Sequence, residues 1–114
     1  MNEVIKTDDI KIENLIYEIR GKQVMIDSDL AKLYHVETKR INEAVKNNLN
    51  KFPERFSWIL MDDEWMILRS KFSTSSLSNN NYGGRRYKPR VFTEQGVAML
   101  ATILKSNIAT YVKY

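Results

Sequence analysis

No cysteine occurs in the 114 residues. That absence excludes disulfides, thiolate metal sites and cysteine nucleophiles, and it fits a reducing cytoplasm. Histidine occurs once, as His35, so a multi-histidine metal site is excluded too. No apolar run approaches the roughly 20 residues of a membrane span. The N-terminal MNEVIKTDDIKIEN lacks the basic-then-apolar order of a secretion signal. No paired-carboxylate or histidine constellation suggests catalysis. Asp62-Asp63-Glu64 is an acidic triplet, but carboxylates in a first helical turn are ordinary dipole partners. The expectations are therefore a cytoplasmic protein with no enzymatic activity, no cofactor, no metal and no membrane partner.

What is present is charge, unevenly spread. The net charge is +4. Residues 1–37 hold five Lys/Arg against eight Asp/Glu, and residues 38–114 hold thirteen against six. The sign changes from net acidic to net basic at residue 38. A basic face beside an acidic arm suits a polyanionic partner, to which phosphate attraction gives sequence-independent affinity.

The change of sign falls inside the stretch Asp27–Phe52, DSDLAKLYHVETKRINEAVKNNLNKF. It reads as two helices joined by a tight turn. The first runs from Asp27 or Ser28, either a natural N-cap, to about Tyr34. The second starts at Glu37 or Thr38, runs to about Lys51 and stops before Pro53. Ile41, Ala44, Val45, Asn48, Leu49 and Phe52 would share its inner face. A helix-turn-helix needs a small residue where its helices cross, and Ala31 supplies it. It needs a left-handed residue four positions on. Glycine is usual there; His35 stands in its place and tolerates positive φ better than most residues. Val36 would plug the angle between the helices, and Ile41 and Ala44 would pack inward. Thr38, Lys39, Asn42, Glu43, Lys46 and Asn47 are left outside, with Arg40 on the flank. Asparagine can bond an adenine edge in a bidentate way, and Lys or Arg can reach guanine or phosphate.

Around this unit the elements are short. Alternation from Ile12 to Ile19, a turn at Arg20-Gly21-Lys22 and the β-rich Gln23–Ile26 predict a β-hairpin. Phe56–Leu60 predicts a strand, and Met61-Asp62-Asp63-Glu64 opens a helix whose stripe is Trp65, Leu68 and Phe72. Residues 73–84 are a polar, low-complexity loop. Arg85–Phe92 predicts a strand that Pro89 confines to an edge or a bulge. Its basic run, Arg85, Arg86, Lys88 and Arg90 around Tyr87, reads as a wing that follows a phosphate backbone. Thr93 caps a helix with Val97, Leu100, Ala101 and Leu104 on its apolar stripe. Ser106-Asn107 would interrupt it, and a new helical pattern stops in mid-course at Tyr114, so a longer parent protein is expected.

Four blocks together resemble the ORF-six N-terminal domain of phage and bacterial proteins, a relative of the KilA-N and Bro-N domains. They are IRGKQVMIDSDLAKLYHVETKRINEAVKNN at 19–48, FPERF at 52–56, LRSKFSTSS at 68–76 and GGRRYKPRVFTEQGVAML at 83–100. The resemblance implies DNA binding at the head of an antirepressor-like or regulatory protein, ahead of a variable C-terminal region. It also implies that the helix beyond Ser106 continues.

The expected fold is α+β, a helix-turn-helix core with an N-terminal β-hairpin and small antiparallel strands. Residues 1–11 would form a flexible arm, 12–106 the DNA-binding domain and 107–114 the start of a further helix. Double-stranded DNA is the expected partner, bound by Thr38, Lys39, Arg40, Asn42, Lys46, Asn47, Arg85, Arg86, Lys88 and Arg90. A second copy of the chain and a repressor protein are further candidate partners. The competing reading is a protein-interaction module that binds a repressor without touching DNA.

Overall fold

A computed structural model describes residues 11–71 and 88–112, with side chains to Lys105. Its centre is a four-stranded antiparallel sheet in the order β1-β2-β4-β3. The strands are β1 (Tyr17–Ile19), β2 (Lys22–Ile26), β3 (Ser57–Ile59) and β4 (Arg90–Phe92). The helices are α1 (Asp27–Tyr34), α2 (Thr38–Lys46), α3 (Asp62–Arg69) and α4 (Glu94–Val112). The fold class is thus α+β.

The alternation of the strands divides the core into two layers. Met25 and Phe92, paired across β2 and β4, point to one side. There they meet Leu30, Ala31, Ile41, Ala44, Val45, Phe52, Leu100 and Leu104 from α1, α2, α4 and the segment after α2. Val24, Ile26, Val91 and Trp58 point to the other side, against Trp65 and Leu68 of α3. Period-2 burial on both faces of so short a sheet is why its strands read as nearly continuous apolar runs.

The hairpin turns on two residues, Arg20 and Gly21, with φ of 58° and 71°. Positive φ at both positions matches the right-handed strand twist of a two-residue hairpin. Its first strand is shorter than the alternation predicted, because Ile12–Leu15 forms a 3-10 turn instead. Arg20 tolerates the left-handed backbone while its side chain ties the hairpin tip to its neighbours. Nε lies 2.6 Å from Glu64, Nη1 lies 3.3 Å from Glu54, and the guanidinium stacks 4.6 Å from the Trp58 ring. Glu64 also accepts the Met61 N–H at 2.9 Å, closing the first turn of α3. The acidic triplet is therefore a helix start, as dipole pairing requires.

The Arg20 contact is the main reason the Glu64 carboxyl titrates below the ordinary carboxylate range. A depressed folded pKa contributes stability above the unfolded value and loses it as pH falls through the folded value. Glu64→Gln is therefore expected to lower stability by about 1 kcal/mol at neutral pH, since the pair is partly solvated. The difference from the parent chain should shrink as pH falls through the depressed Glu64 value in parallel urea titrations. A constant difference across that range would show that the ion pair is not its source.

Four local expectations are corrected. Leu49 does not join the inner face of α2 but is 62% exposed. The α-helix stops at Lys46, the Asn48 amide donates back to the Ala44 carbonyl at 2.8 Å, and a 3-10 turn covers Leu49–Lys51. Phe52 still reaches the core, edge-on to Phe92 at 6.1 Å between centroids. Neither Asp27 nor Ser28 is the N-cap of α1; Ile26 holds that place and Asp27 is the first helical residue. Pro89 does not confine β4 to an edge. It precedes the strand, so its missing N–H costs no ladder bond, and its carbonyl accepts the Leu60 N–H at 3.0 Å. Finally, α4 runs unbroken through Ser106-Asn107 to Val112. Phe72, residues 73–84 and Arg85–Tyr87 lie outside the described residues, as does the arm up to residue 10.

Candidate nucleic-acid interface

The helix pair α1–α2 is set by its turn. His35 adopts the left-handed conformation at φ 60°, ψ 42°. Its N–H donates to the Lys32 carbonyl at 3.2 Å, and that of Val36 donates to the Ala31 carbonyl at 3.0 Å. These two bonds form a Schellman closure, which satisfies the last carbonyls of α1 and reverses the chain. Val36 then packs against the core, with Ala31, Ile41 and Ala44 buried beside it. His35→Gly removes the Cβ penalty of a left-handed residue and is expected to stabilise the chain by about 0.5–1 kcal/mol. His35→Val should destabilise it by at least about 1 kcal/mol. Thermal unfolding of the pair of variants checks both signs.

Burial divides α2 cleanly. Ile41, Ala44 and Val45 are buried, and Lys39, Glu43, Lys46 and Asn47 form the outward stripe. The spacing of 3 and 4 residues places these four on one helical face. Thr38, Arg40 and Asn42 are half-buried on the flanks. On one flank, Arg40, Glu43, Asn47, Asn48, Lys51 and Thr102 line a cleft of about 610 Å³ between α2 and α4. Glu43 had no assigned role in the linear pattern, yet it stands in the middle of the stripe. Lys51 and Thr102 join through the approach of α4, which no local signal foretells.

On the other flank the Asn42 amide is turned inward. Its Nδ2 lies 2.9 Å from Asp27 Oδ2 and 3.2 Å from the Thr38 carbonyl. Asp27 is 1% exposed. Its Oδ1 accepts the Ser28 N–H at 2.7 Å, and its Oδ2 also accepts the Arg90 N–H at 3.2 Å. Arg90 is half-buried and donates from Nη1 to the Ser57 hydroxyl at 3.1 Å. Burial pulls its guanidinium below the usual arginine value, and Asp27 opposes that shift. Of the basic run, Arg85 and Arg86 lie outside the described residues. Lys88 is exposed and pairs with Asp62 at 2.9 Å. A pair this solvated is weak, and a phosphate can displace it.

The structure thus brings Asn42 and Arg90 together at Asp27 and keeps Lys39, Lys46 and Asn47 on the open face. Arg40 lies at the α4 cleft, and Thr38 opens the helix. Among the described residues no His, Cys, Asp and Glu group could hold a metal ion, and no helix is long and apolar enough to cross a membrane.

These features define a class: a small α+β module with a turn-linked helix pair braced on a four-stranded antiparallel sheet. The family model of the ORF6N domain matches residues 14–103, and the chain belongs to that family. No curated protein and no solved structure matches it.

Proposed function

We propose that this chain is a DNA-binding module of a phage-type regulatory protein, in the manner of an antirepressor. The observation that carries this reading is the division of α2. One face is locked into the core, and the opposite stripe offers two lysines and an asparagine at major-groove spacing. Membership of the ORF6N domain family supports the same reading. The module binds; it does not catalyse.

Titrating binding to double-stranded DNA against salt tests the proposal. Each phosphate contact contributes about −0.9 to the slope of log affinity against log salt. A steep negative slope between roughly 50 and 200 mM salt is expected. A flat slope, or no binding, overturns it.

A second reading has one observation in its favour. Met66 and Ile67 of α3, and Met61 at its N-cap, are more than half exposed, and α3 packs on the side of the sheet away from α2. An apolar group of this kind suits a protein partner such as a repressor. Purification of the full chain separates the readings. Co-purifying nucleic acid favours the first, and a stoichiometric protein partner without nucleic acid favours the second.

A further inference from the structure

We propose that the cleft between α2 and α4 seats one sugar–phosphate strand of a DNA duplex, with Arg40 and Lys51 as phosphate contacts that position α2 and read no bases. The inference rests on the DNA-binding reading. It adds a second surface that reaches past α2 to Lys51 and to the wall of α4.

The dimensions of a helix in a groove select this flank. With its side chains a helix is about 10–12 Å across, and the major groove is about 12 Å wide. A helix that turns one face to the base edges therefore brings its two flanks to the two phosphate strands. With Lys39, Glu43, Lys46 and Asn47 toward the bases, Arg40 falls on one flank and Asn42 on the other. The Asn42 flank is closed, because its amide is held by the buried Asp27 and the Thr38 carbonyl. The Arg40 flank is open. Its lining recurs at 40, 43, 44, 47, 48 and 51, so the cleft runs along α2 and on into the 3-10 turn that follows it. Thr102 and Ile103 of α4 form the far wall, and the space between is about 610 Å³.

The chemistry inside suits a polyanionic strand. Among the described residues neither Arg40 nor Lys51 forms an ion pair, so both cations are available. Arg40 is half-buried, which restricts its stem. Lys51 stands on a fixed turn, its N–H donating to the Asn48 carbonyl at 2.8 Å. The Asn48 amide is spent on the Ala44 carbonyl, and the Thr102 hydroxyl donates to the Met99 carbonyl at 2.7 Å. The far wall thus supplies shape and the α2 side supplies charge. Glu43 is the one acid among the described lining residues; it is exposed at the border with the stripe, where it can face the bases. Unpaired cations along an open trough match a phosphate chain, whereas a small ligand needs a more enclosed, apolar site.

The test measures DNA affinity across salt for several duplex sequences with Lys51→Ala, Arg40→Ala and Thr102→Glu in the full chain, with folding followed by circular dichroism. Each alanine variant is expected to lower affinity about fivefold at roughly 0.15 M salt for every duplex, with the salt slope shallower by about 0.9. Thr102→Glu places a carboxylate against the strand and should lower affinity roughly tenfold or more. Met66→Glu makes the same change in net charge on α3, across the sheet, and should lower it less than about twofold, since screening removes distant charges. Three results overturn the proposal while leaving DNA binding intact. Unchanged affinity and slope in folded Lys51→Ala and Thr102→Glu would assign the cleft to another occupant. Equal losses in Thr102→Glu and Met66→Glu would reduce the effect to net charge. A loss confined to duplexes differing at one base pair would make these residues base readers. A flat slope for the parent chain instead overturns the DNA-binding reading itself.

Discussion

Gly96→Ala is expected to lower the thermal unfolding midpoint by on the order of 10 °C, the largest loss of stability anticipated for any single methyl group added to this chain. Helix propensity alone argues the other way. Gly96 lies in the first turns of α4, where alanine is favoured by about 1 kcal/mol. A methyl group at this position would stand 2.0 Å from the Phe56 carbonyl oxygen and 2.9 Å from its carbonyl carbon. Both are backbone atoms, so no side chain can swing away to make room. The approach is fixed on either side of the contact. Thr93 donates its N–H to the Phe56 carbonyl at 2.9 Å and its hydroxyl to the Arg55 carbonyl at 2.9 Å. The Thr93 oxygen in turn accepts the Gly96 N–H at 3.3 Å, capping the helix. Relief of the overlap must break part of this set or lift α4 off the sheet, which would loosen Leu100 and Leu104 from the core they share with Ile41 and Phe92. Overpacking with loss of a cap costs about 3 kcal/mol after the propensity gain is subtracted. Ala98→Gly, an exposed change on the same helix, serves as the comparison and should cost about 1 kcal/mol. Gly96→Ala at or above the parent midpoint would mean that α4 does not sit on the Phe56 carbonyl.

How much of this was legible before the structure depends on the range of the interaction concerned. The turn at His35 was readable because a Schellman closure is local: Ala31, Lys32, His35 and Val36 are all within six residues. Thr93 was readable as a cap for the same reason. The end of α2 was not, although it too is local. Apolar residues at Leu49 and Phe52 continued the helical period. The break comes from Asn48, whose side chain bonds the helix's own carbonyl and competes with further backbone turns. Pro89 misled in the opposite direction, since a proline one residue ahead of a strand costs nothing and one inside it costs a bond. The role of Asp27 was out of reach altogether. Its partners stand 15 and 63 residues away, and an acidic residue at a helix start already had a sufficient local explanation. Asn42 is a DNA-contact candidate for its amide, and that amide is what binds it to Asp27, whereas Arg90 reaches Asp27 through its backbone N–H and sends its guanidinium to Ser57. In a small domain the same hydrogen-bonding groups suit a nucleic acid and a buried carboxylate, and only tertiary placement separates the two uses.

On the proposed DNA-binding reading, Lys39→Ala with Lys46→Ala is expected to weaken binding between about tenfold and a hundredfold at moderate salt, with the salt slope shallower by about 1.8. Both lysines are on the outward stripe and no described acid forms an ion pair with either, so each is available to a phosphate or a guanine edge. Removing them leaves the core untouched and replaces helical residues with a better helix former, so the unfolding midpoint should hold. Glu43 sharpens the experiment because it lies between them on the same face. A carboxylate facing a phosphate backbone is repelled at any sequence, whereas one facing a cytosine amino group accepts its hydrogen bond. Glu43→Gln should therefore bind non-specific duplex more tightly than the parent chain and discriminate less among sequences. The lysine pair reports affinity and Glu43 reports selectivity, and the two should move independently. Should the double lysine variant keep both its affinity and its salt slope, α2 is not the element that meets DNA, and contacts would have to come from elsewhere on the basic half of the chain.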